Sequence, residues 1–522
     1  MNKLELHIGR RLRDAALCTL FFMLILHGYR YVSLGFSHDS LAFAWPDDLA
    51  WQLSLGRFMQ PVYWAFRGSV GAPFLVGLLT CGYMILSVYV AADLLMVRSR
   101  LTLFLLAGLM CGSPALICAD ATYVYLTDIY ALALLLNVTA AWICLRARKR
   151  FSAYAFAALL LTVSAGLYQA YLQVFSALVM VWAALRLLEG DSLRDALMRI
   201  GPRCGGSLAA LGMGMGLFFA VYHIVLAVTG IAPEAGQNGM ANLGDFGGIS
   251  VPALLLNTWL YPIGHIASIQ GANPFRARAA LVFVLLYGAG ATAYVMRRRV
   301  PDRGSRIAVA AVLLLLPLGM NWIYLFSKGF IHDLMMYAYA AAPIYAVAVS
   351  ETAWDLALAD VDFVPPRRRA LAYALPLAVC LLLLDRTIYA NRLYLKKDLE
   401  YDATQSVMTR VLDRIEQLDG YEPGETPVCF VGNISRSPLA MTRPGFEAYA
   451  YFTGADKLFA ITDENMFWMY LGDVMAYPTA RLDTADLSEA QKKAADEMDC
   501  FPKKDSVRMV DGAVVVKFSG EE

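Results

Sequence analysis

Charged residues are scarce in this chain of 522 residues: Asp, Glu, Lys and Arg make up 17% of it, whereas 59% is hydrophobic. Soluble globular proteins carry about 25% charged and about 45–50% apolar residues, so the composition excludes an ordinary soluble enzyme. The mean hydropathy of +0.52 also excludes a disordered chain, because a chain this apolar buries its surface.

An excess of either charge sign is also missing. The 44 Lys and Arg against 43 Asp and Glu give a formal net charge of +1, which argues against nucleic acid as a partner, because proteins that bind it carry a basic excess. The nine cysteines form no CxxC pair and no Cys/His cluster, which argues against a structural zinc site. No motif requires a cofactor, and a divalent metal is compatible with the acids described below but not required by them.

Long apolar runs are abundant. Runs of about 20 residues are long enough to cross a bilayer as helices. The break at GLYQAY, near Gly166, is either a short turn or a kink in one bent helix. The first run is too long for a signal peptide and no small-residue cleavage site follows it. We count roughly eleven runs, near 15–36, 70–95, 101–118, 123–145, 152–167, 170–188, 205–230, 276–296, 307–326, 334–354 and 370–389.

Basic residues between the runs indicate the orientation. They cluster in alternate loops, and basic loops stay on the cytoplasmic side. We therefore expect a multi-pass protein of the cytoplasmic (inner) membrane with its N-terminus inside and, for an odd number of spans, its C-terminus outside. The intervening loop 231–275 contains no Lys or Arg, as expected of an outer loop. The basic clusters lie at 10–13, 98–100, 146–150, 194–203, 297–306 and 367–369.

The chain changes character after about Asn391, where charge becomes dense and no spanning run follows. Helical periodicity covers 396–418, with Leu399, Val407, Val411 and Ile415 near one face. The segment TPVCFVGN is typical of a buried strand, and Asp511-Gly512 between two β-rich runs predicts a hairpin. The sequence therefore predicts an α-helical polytopic membrane domain over 1–390 and a small extracytoplasmic α/β domain over 391–522.

Acidic residues collect at the expected outer ends of the spans. The first outer loop carries Asp39, Asp47, Asp48 and Arg57, interleaved with aromatic residues. A carboxylate at a low-polarity interface can have a raised pKa and act as a base near neutral pH, and an Arg can hold a phosphate through paired hydrogen bonds. The alternative is an interfacial amphipathic helix whose acids face water.

Two more acids lie near the next outer turn. Asp120 lies in the turn between the third and fourth spans, and Asp128 lies inside the fourth. An acid at that depth is costly unless it is paired or functional. The alternative for Asp128 is a buried hydrogen bond to a neighbouring Tyr or His.

Two further outer turns supply polar groups. Tyr168 and Gln169 offer hydrogen-bond donors and acceptors, and Lys328 and His332 lie between the ninth and tenth spans. Lys328 can meet an anionic headgroup, or it can simply extend toward the interface. The convergence of these clusters on outward ends indicates one extracytoplasmic active site at the membrane surface.

In their order and spacing these motifs resemble the bacterial glucosyl transferase II (GtrII-like) family, polytopic enzymes of the GT-C fold. The resemblance covers nearly the whole chain and is carried by FSHDSL, GRF, the run ending at Asp128, GLYQAYL, VCFVGN and CFPKKDSVRMVDGAVVVKFS. It implies transfer of a hexose, with glucose the first expectation, from a polyprenyl-phosphate-linked donor. The implied acceptor is a glycan outside the membrane, such as O-antigen or a wall polymer.

The resemblance also implies roles for residues. An acid of the first outer loop would be the base of an inverting displacement: Asp39 has the better spacing to Arg57, whereas Asp47-Asp48 is similar to the paired acids of some relatives. We favour Asp39 and leave the pair open. The remaining implied roles are phosphate stabilisation by Arg57 and Lys328, sugar orientation by Tyr168 and Gln169, and binding by Asp120, Asp128 and His332.

Two other functions are compatible with the architecture. A lipid-linked sugar flippase or other secondary transporter would need charged residues in mid-span and helices broken by Gly or Pro, of which Pro317 and Pro343 are examples. A non-catalytic scaffold for wall assembly could be built on the outer domain. Substitution of the outer-loop acids separates these functions from an enzyme.

Cys429 and Cys500 are the two cysteines of the tail. If the tail is outside, it meets a compartment in which disulfides persist. A bond between them would stabilise the domain by roughly 4–5 kcal/mol in the chain-entropy model. The alternative is two thiols, with Cys429 buried in its strand, and the sequence alone leaves both open.

The alternating basic loops generate a topology prediction. A reporter that is active only outside the cytoplasm should be active when fused after Glu522 and inactive when fused at Arg150, because basic loops are retained inside. The measurement is reporter activity in intact cells at matched expression. The reverse pattern would overturn the placement of the active site.

Overall fold

Helices make up most of this computed structural model, which describes residues 3–37, 41, 49–146, 151–235, 240, 248, 250–269, 271–327, 329, 331–358, 366–441, 444–446, 454–461 and 464–520. Most of the longer ones coincide with the apolar runs, but the helix Val251–Ser268 lies within 231–275, which was expected to be an outer loop. The helices are α1 (Lys3–Val32), α2 (Ala50–Ser54), α3 (Met59–Arg67), α4 (Pro73–Leu94), α5 (Arg100–Cys111), α6 (Pro114–Thr122), α7 (Thr127–Arg146), α8 (Phe151–Tyr168), α9 (Leu172–Leu187), α10 (Leu193–Thr229), α11 (Val251–Ser268), α12 (Pro274–Arg299), α13 (Arg303–Asn321), α14 (Ala341–Leu358), α15 (Pro366–Glu416), α16 (Glu464–Met469) and α17 (Glu489–Glu497).

Eight helices of the described chain are long and apolar enough to cross a membrane, or nine if the bent pair α5–α6 forms one span. Several of them expose large apolar side chains, as a lipid-facing surface requires, including Leu208, Ile224 and Leu286. The expected count of about eleven is not confirmed. Residues 152–167 and 170–188 belong to one helical run, Phe151–Leu187. Residues 334–354 fall in the 3₁₀ segment Asp333–Ala340 and in α14, which is not among the candidate spans.

The break at GLYQAY lies within the run Phe151–Leu187. Tyr168 ends α8 in an extended conformation (φ −162°, ψ 106°), and Gln169–Tyr171 form a 3₁₀ turn before α9 begins at Leu172. The α-helical hydrogen-bond ladder is therefore interrupted where the sequence suggested a turn or a kink.

Arg11, Arg100 and Arg146, from three of the basic clusters, lie at one end of the helical bundle. Asp93, at the end of α4, accepts from Arg146 at 3.0 Å and lies 3.6 Å from Arg11. Arg100 is 3.0 Å from Asp14 of α1. Loops that are far apart in the sequence thus share one face, in agreement with the alternation expected from the positive charges.

A four-stranded sheet follows the helical bundle, with strands β1 (Pro427–Val431), β2 (Ala480–Arg481), β3 (Val507–Val510) and β4 (Ala513–Lys517) in the order β2-β1-β4-β3. β1 is parallel to β2 and β4, and β3 is antiparallel to β4. Asp511 and Gly512 have φ values of 48° and 75°, as a type I′ hairpin turn requires. The predicted strand and hairpin are confirmed.

Helix α15 connects the two parts of the chain. It runs from Pro366 to Glu416 without interruption, through the expected domain boundary at 390/391. Its predicted apolar face is confirmed for Val407, Val411 and Ile415, which are buried together with Phe430 and Val516 of the sheet. Leu399 is half-buried and lies outside this cluster. The division at 390/391 remains a prediction, and the helix shows that the two parts share one element.

Of the two alternatives for the tail cysteines, the structure has thiols at Cys429 and Cys500 rather than a disulfide. Cys429 lies in β1 and is buried in a small apolar cluster with Val431, Leu487 and Met498. Cys500 is half-buried. Packing of Cys429 as a small apolar side chain accounts for its burial without a bond.

The first loop after α1 is fastened to the sheet and to α15. Leu41 is 1% exposed and belongs to the apolar cluster that contains Val407 and Phe430. Phe36 packs against Tyr401, with ring centroids 5.9 Å apart. Phe36 and Leu41, which flank Asp39 in the sequence, are thus anchored by apolar contacts to the C-terminal part of the chain.

Truncation of Leu41 should destabilise the sheet region. Leu41→Ala should lower its free energy of unfolding by about 2–5 kcal/mol, because it removes a buried side chain and leaves a cavity. Thermal unfolding and limited proteolysis of the purified protein measure this. Leu34→Ala is the matched control, since Leu34 is 71% exposed in the same loop; equal losses in both variants would contradict the anchoring role.

Candidate active site

Arg57 is positioned by the turn that ends α2. Its backbone N–H donates to Gln52 O at 2.8 Å, and Gly56 before it has φ +76°. A β-carbon at Gly56 would lie 2.9 Å from Gln169 Nε2 and 3.1 Å from Phe218. Both the left-handed backbone and the close approach therefore require glycine in the GRF motif.

The Arg57 guanidinium lies against Tyr168. Its central carbon is 5.4 Å from the centroid of the tyrosine ring, within the range of a cation–π contact. One terminal nitrogen contacts Gln52 Oε1 at 3.5 Å, and the buried Nε has no hydrogen-bond partner among the described residues. The guanidinium is therefore held in place with donor capacity left for an anion.

The 3₁₀ turn after α8 brings Gln169 beside Arg57. Gln169 Nε2 donates to Leu55 O at 2.7 Å, which ties the turn to the end of α2. At Gly166 a β-carbon would lie 2.7 Å from Met59 and 2.8 Å from Phe58, so this glycine permits α8 to approach α3 closely. Gly56 of GRF and Gly166 of GLYQAYL therefore allow these two motifs to pack closely against each other.

These elements enclose a cavity of about 360 Å³. Four predicted site residues line it together: Arg57, Tyr168, Gln169 and His332. Most of the other lining side chains are apolar or aromatic, and flat aromatic faces suit both sugar rings and lipid chains. The aromatic residues of the wall are Trp51, Tyr123, Tyr130, Phe218, Phe219, Trp322 and Phe326.

His332 and Ser327 also line this cavity. The His332 ring lies 6.3 Å from the ring of Tyr123. Ser327 lines the cavity with a buried hydroxyl that has no partner among the described residues. Lys328 follows Ser327 directly in the sequence but lies outside the described residues, as do Asp39, Asp47 and Asp48.

The comparison with known families agrees with these motifs. The family model "Glucosyl transferase GtrII" matches residues 34–349, a range that contains all four predicted residues lining the cavity. The chain belongs to the GtrII glucosyltransferase family. No curated protein matches it.

Asp128 of this GtrII family member is not brought into the cavity. It is fully buried and accepts from Arg67 Nη1 at 2.8 and 3.0 Å and from the Tyr63 hydroxyl at 2.9 Å. The backbone N–H of Ile129 donates to it at 3.0 Å. The interaction joins α3 to α7. Asp128 is therefore paired with protein side chains, which is the alternative to a functional role that the sequence left open for this acid.

Asp120 is also buried away from the cavity. Its Oδ2 lies 2.7 Å from His27 Nδ1 and accepts from the Tyr31 hydroxyl at 3.1 Å. Arg30 Nε donates to its backbone oxygen at 2.8 Å. This cluster holds α6 against α1. It was not predicted, although the His and Arg within the first apolar run of the sequence indicate that a buried acid pairs with them.

The described residues contain no cluster of side chains that could bind a metal ion. No group of three or more His, Cys, Asp or Glu side chains there is arranged to hold an ion. The loop acids lie outside those ranges, so the described site consists of one arginine, polar neutral groups, a histidine and aromatic walls. Such a set binds by hydrogen bonding, stacking and a single positive charge.

The Arg67–Asp128 pair generates a stability prediction. Arg67→Met should destabilise the helical bundle by about 3–5 kcal/mol, because it leaves a buried carboxylate without its cation. The variant Arg67→Met/Asp128→Leu should recover most of the loss, since neither charge then remains. Thermal unfolding in detergent tests this, and an equal loss in both variants would argue against a structural pair.

Proposed function

We propose that this GtrII family member is a membrane glycosyltransferase that moves a hexose, with glucose the first candidate, from a polyprenyl-phosphate-linked donor to a glycan outside the cytoplasmic (inner) membrane. The acceptor class is an O-antigen or a wall polymer. The family supports the sugar, and the apolar helices support a lipid-linked donor. The observation that carries the proposal is the arginine-bearing, aromatic cavity inside the matched region.

The donor phosphate is proposed to lie against Arg57. The guanidinium lies against Tyr168, with its central carbon 5.4 Å from the ring centroid, and lines the cavity, so it can donate to a phosphate oxygen there. Lys328 is proposed as the second cation, and the Ser327 hydroxyl, which has no partner among the described residues, is a further candidate donor. Donors in a low-dielectric wall stabilise the charge that develops on the leaving phosphate.

The sugar ring is proposed to lie between the aromatic side chains. A cavity of about 360 Å³ is at the lower end of the range of small-molecule sites, which suits one hexose rather than a long oligosaccharide. Gln169 and Tyr168 can orient sugar hydroxyls, and His332 lines the same cavity. The polyprenyl chain would extend along the apolar helices.

The proposed chemistry is a single displacement with inversion. The base removes the proton of an acceptor hydroxyl, the hydroxyl oxygen forms a bond to the anomeric carbon, and the bond from that carbon to the phosphate oxygen breaks. Polyprenyl phosphate leaves with the electron pair of that bond. Asp39 is the favoured base and the pair Asp47-Asp48 is the other candidate. No step requires a metal.

A transfer assay tests the function. Purified protein with polyprenyl-phosphate glucose and a glycan acceptor should release polyprenyl phosphate and form the glucosylated glycan. Asp39→Asn should abolish transfer, and Arg57→Gln should lower kcat by about 100-fold or more, as loss of a transition-state donor does. Arg98→Gln is the matched control, because its side chain is 77% exposed in a basic loop.

The outcomes distinguish the competing functions. Full activity of Asp39→Asn would move the base to Asp47 or Asp48, and full activity of all three single variants would refute catalysis by this loop. Movement of the intact lipid-linked sugar across vesicles without phosphate release would instead indicate a flippase. Unchanged glycan assembly in every variant would indicate a scaffold.

A further inference from the structure

A groove of about 220 Å³ lies on helix α15, near the sheet. One side of it is a face of the helix, formed at the spacing i, i+3, i+4 and i+7 by Ala403, Ser406, Val407 and Arg410. The other side is formed by Leu439, Met441, Leu458 and Phe459. The groove shares no lining residue with the sugar cavity, so the two are separate spaces.

The segment that supplies Leu439 and Met441 is fixed to the core of the C-terminal part. Ser437 is buried, and its hydroxyl donates to the Phe501 carbonyl at 3.2 Å. The same hydroxyl accepts from the N–H of Leu439 at 3.1 Å. This wall of the groove is therefore preformed.

The segment that supplies Leu458 and Phe459 is fixed to α15 itself. The hydroxyl of Thr404, which is fully buried, accepts from the Ala460 N–H at 2.8 Å. The buried Lys397 of the same helix donates to the Gly454 carbonyl. The second wall is therefore held on both sides of its lining residues, and a ligand does not have to order it.

Arg410 is the charged residue of this groove, and its charge is unpaired. Its guanidinium carbon lies 5.2 Å from the ring centroid of the buried Phe501, which holds the side chain in place. Among the described residues it has no hydrogen-bond or ion-pair partner. Arg414, one turn later against the same ring, donates instead to the carbonyls of Pro502 and Lys503, each at 2.7 Å.

The remaining lining residues suit a sugar ring beside an anion. No acidic side chain is among the described residues that line the groove. Ser406 is exposed and offers a hydroxyl, whereas Val407 and Phe459 give the groove an apolar floor. A sugar ring has both C–H faces and hydroxyl groups, and an acidic sugar adds the negative charge that Arg410 lacks.

The groove lies away from the apolar part of α15. Ala403 to Arg410 follow the end of the run 370–389 by 14 to 21 residues, which corresponds to about 20–30 Å along a helix. Val407 and Phe459 belong to the same apolar cluster as Leu41, and Asp39 stands two residues before Leu41 in the sequence. This position favours a water-soluble chain that reaches the first loop over a membrane lipid.

We propose that this groove binds the acceptor glycan through an acidic sugar unit, whose carboxylate or phosphate pairs with Arg410. A guanidinium donates two parallel hydrogen bonds to either group, and the exposed edge of the groove leaves the rest of the chain free to extend. The inference rests on the proposed transfer function and deepens it, because it names the class of acceptor: an anionic polysaccharide. The donor remains in the cavity of Arg57.

A binding experiment without donor tests the groove. The full-length protein in a neutral detergent is titrated with an oligosaccharide of alternating glucose and glucuronic acid, and with the same oligosaccharide after reduction of its carboxyl groups. Isothermal titration calorimetry measures Kd. The acidic form should bind about tenfold or more tightly, and Arg410→Gln should remove this preference, as loss of a hydrogen bond between charged groups does.

Further variants separate charge from shape. Arg410→Lys keeps the charge and should retain part of the preference for the acidic form. Ser406→Trp changes no charge but fills the groove, so it should weaken binding of both oligosaccharides. Lys493→Gln is the matched control, because it removes an exposed cation of α17 that does not line the groove. Thermal unfolding of each variant checks that it is folded.

The outcomes decide between the groove and the reaction. Equal binding of the two oligosaccharides, or binding unchanged by both Arg410→Gln and Ser406→Trp, would overturn the proposal. Free glucuronic acid or inorganic phosphate that binds as tightly as the acidic oligosaccharide would show a general anion site and overturn the glycan assignment. In the transfer assay, Arg410→Gln should raise KM for an acidic acceptor and leave kcat unchanged. Intact acceptor binding without any transfer would count against the proposed reaction alone.

Discussion

The helical bundle depends on the pairing of buried charge. Asp128 is held by Arg67 at 2.8 Å and Asp120 lies 2.7 Å from His27, and all four side chains are buried. An isolated ion in such surroundings is strongly unfavourable, so each pair fixes the separation of the helices that supply it. The pairs hold α6 and α7 against α1 and α3, and the turn that carries Arg57 is built directly before α3.

Local sequence patterns predicted the elements well, because they reflect local chemistry. The apolar runs became helices, and Asp511-Gly512 formed the hairpin turn, since these residues adopt positive φ readily. The number of spans was less predictable: the break at Tyr168 and the 3₁₀ turn Gln169–Tyr171 are so short that Phe151–Leu187 counts as one helical run rather than two. The sequence left a disulfide or two thiols open for Cys429 and Cys500, and the structure has thiols, because a buried cysteine can also pack as a small apolar side chain.

Part of the candidate site was predicted from the sequence, and there is a physical reason why the rest was not. Arg57, Tyr168, Gln169 and His332 were found from their positions at the expected ends of spans, and they share one cavity. Asp120 and Asp128 were found by the same argument but face protein partners, because a sequence shows the depth of an acid and not the direction of its side chain.

Helix α15 has a mechanical consequence. From Leu377 to Glu416 it contains neither Pro nor Gly, and these 40 residues of unbroken helix are about 60 Å long. Its far end is packed into the sheet, and Leu41 adds a second attachment from the start of the chain. The C-terminal part is thus attached to the helical bundle through a rigid helix and through Leu41, and not through a flexible linker. A force that acts on the sheet is therefore transmitted along α15 to the helical bundle.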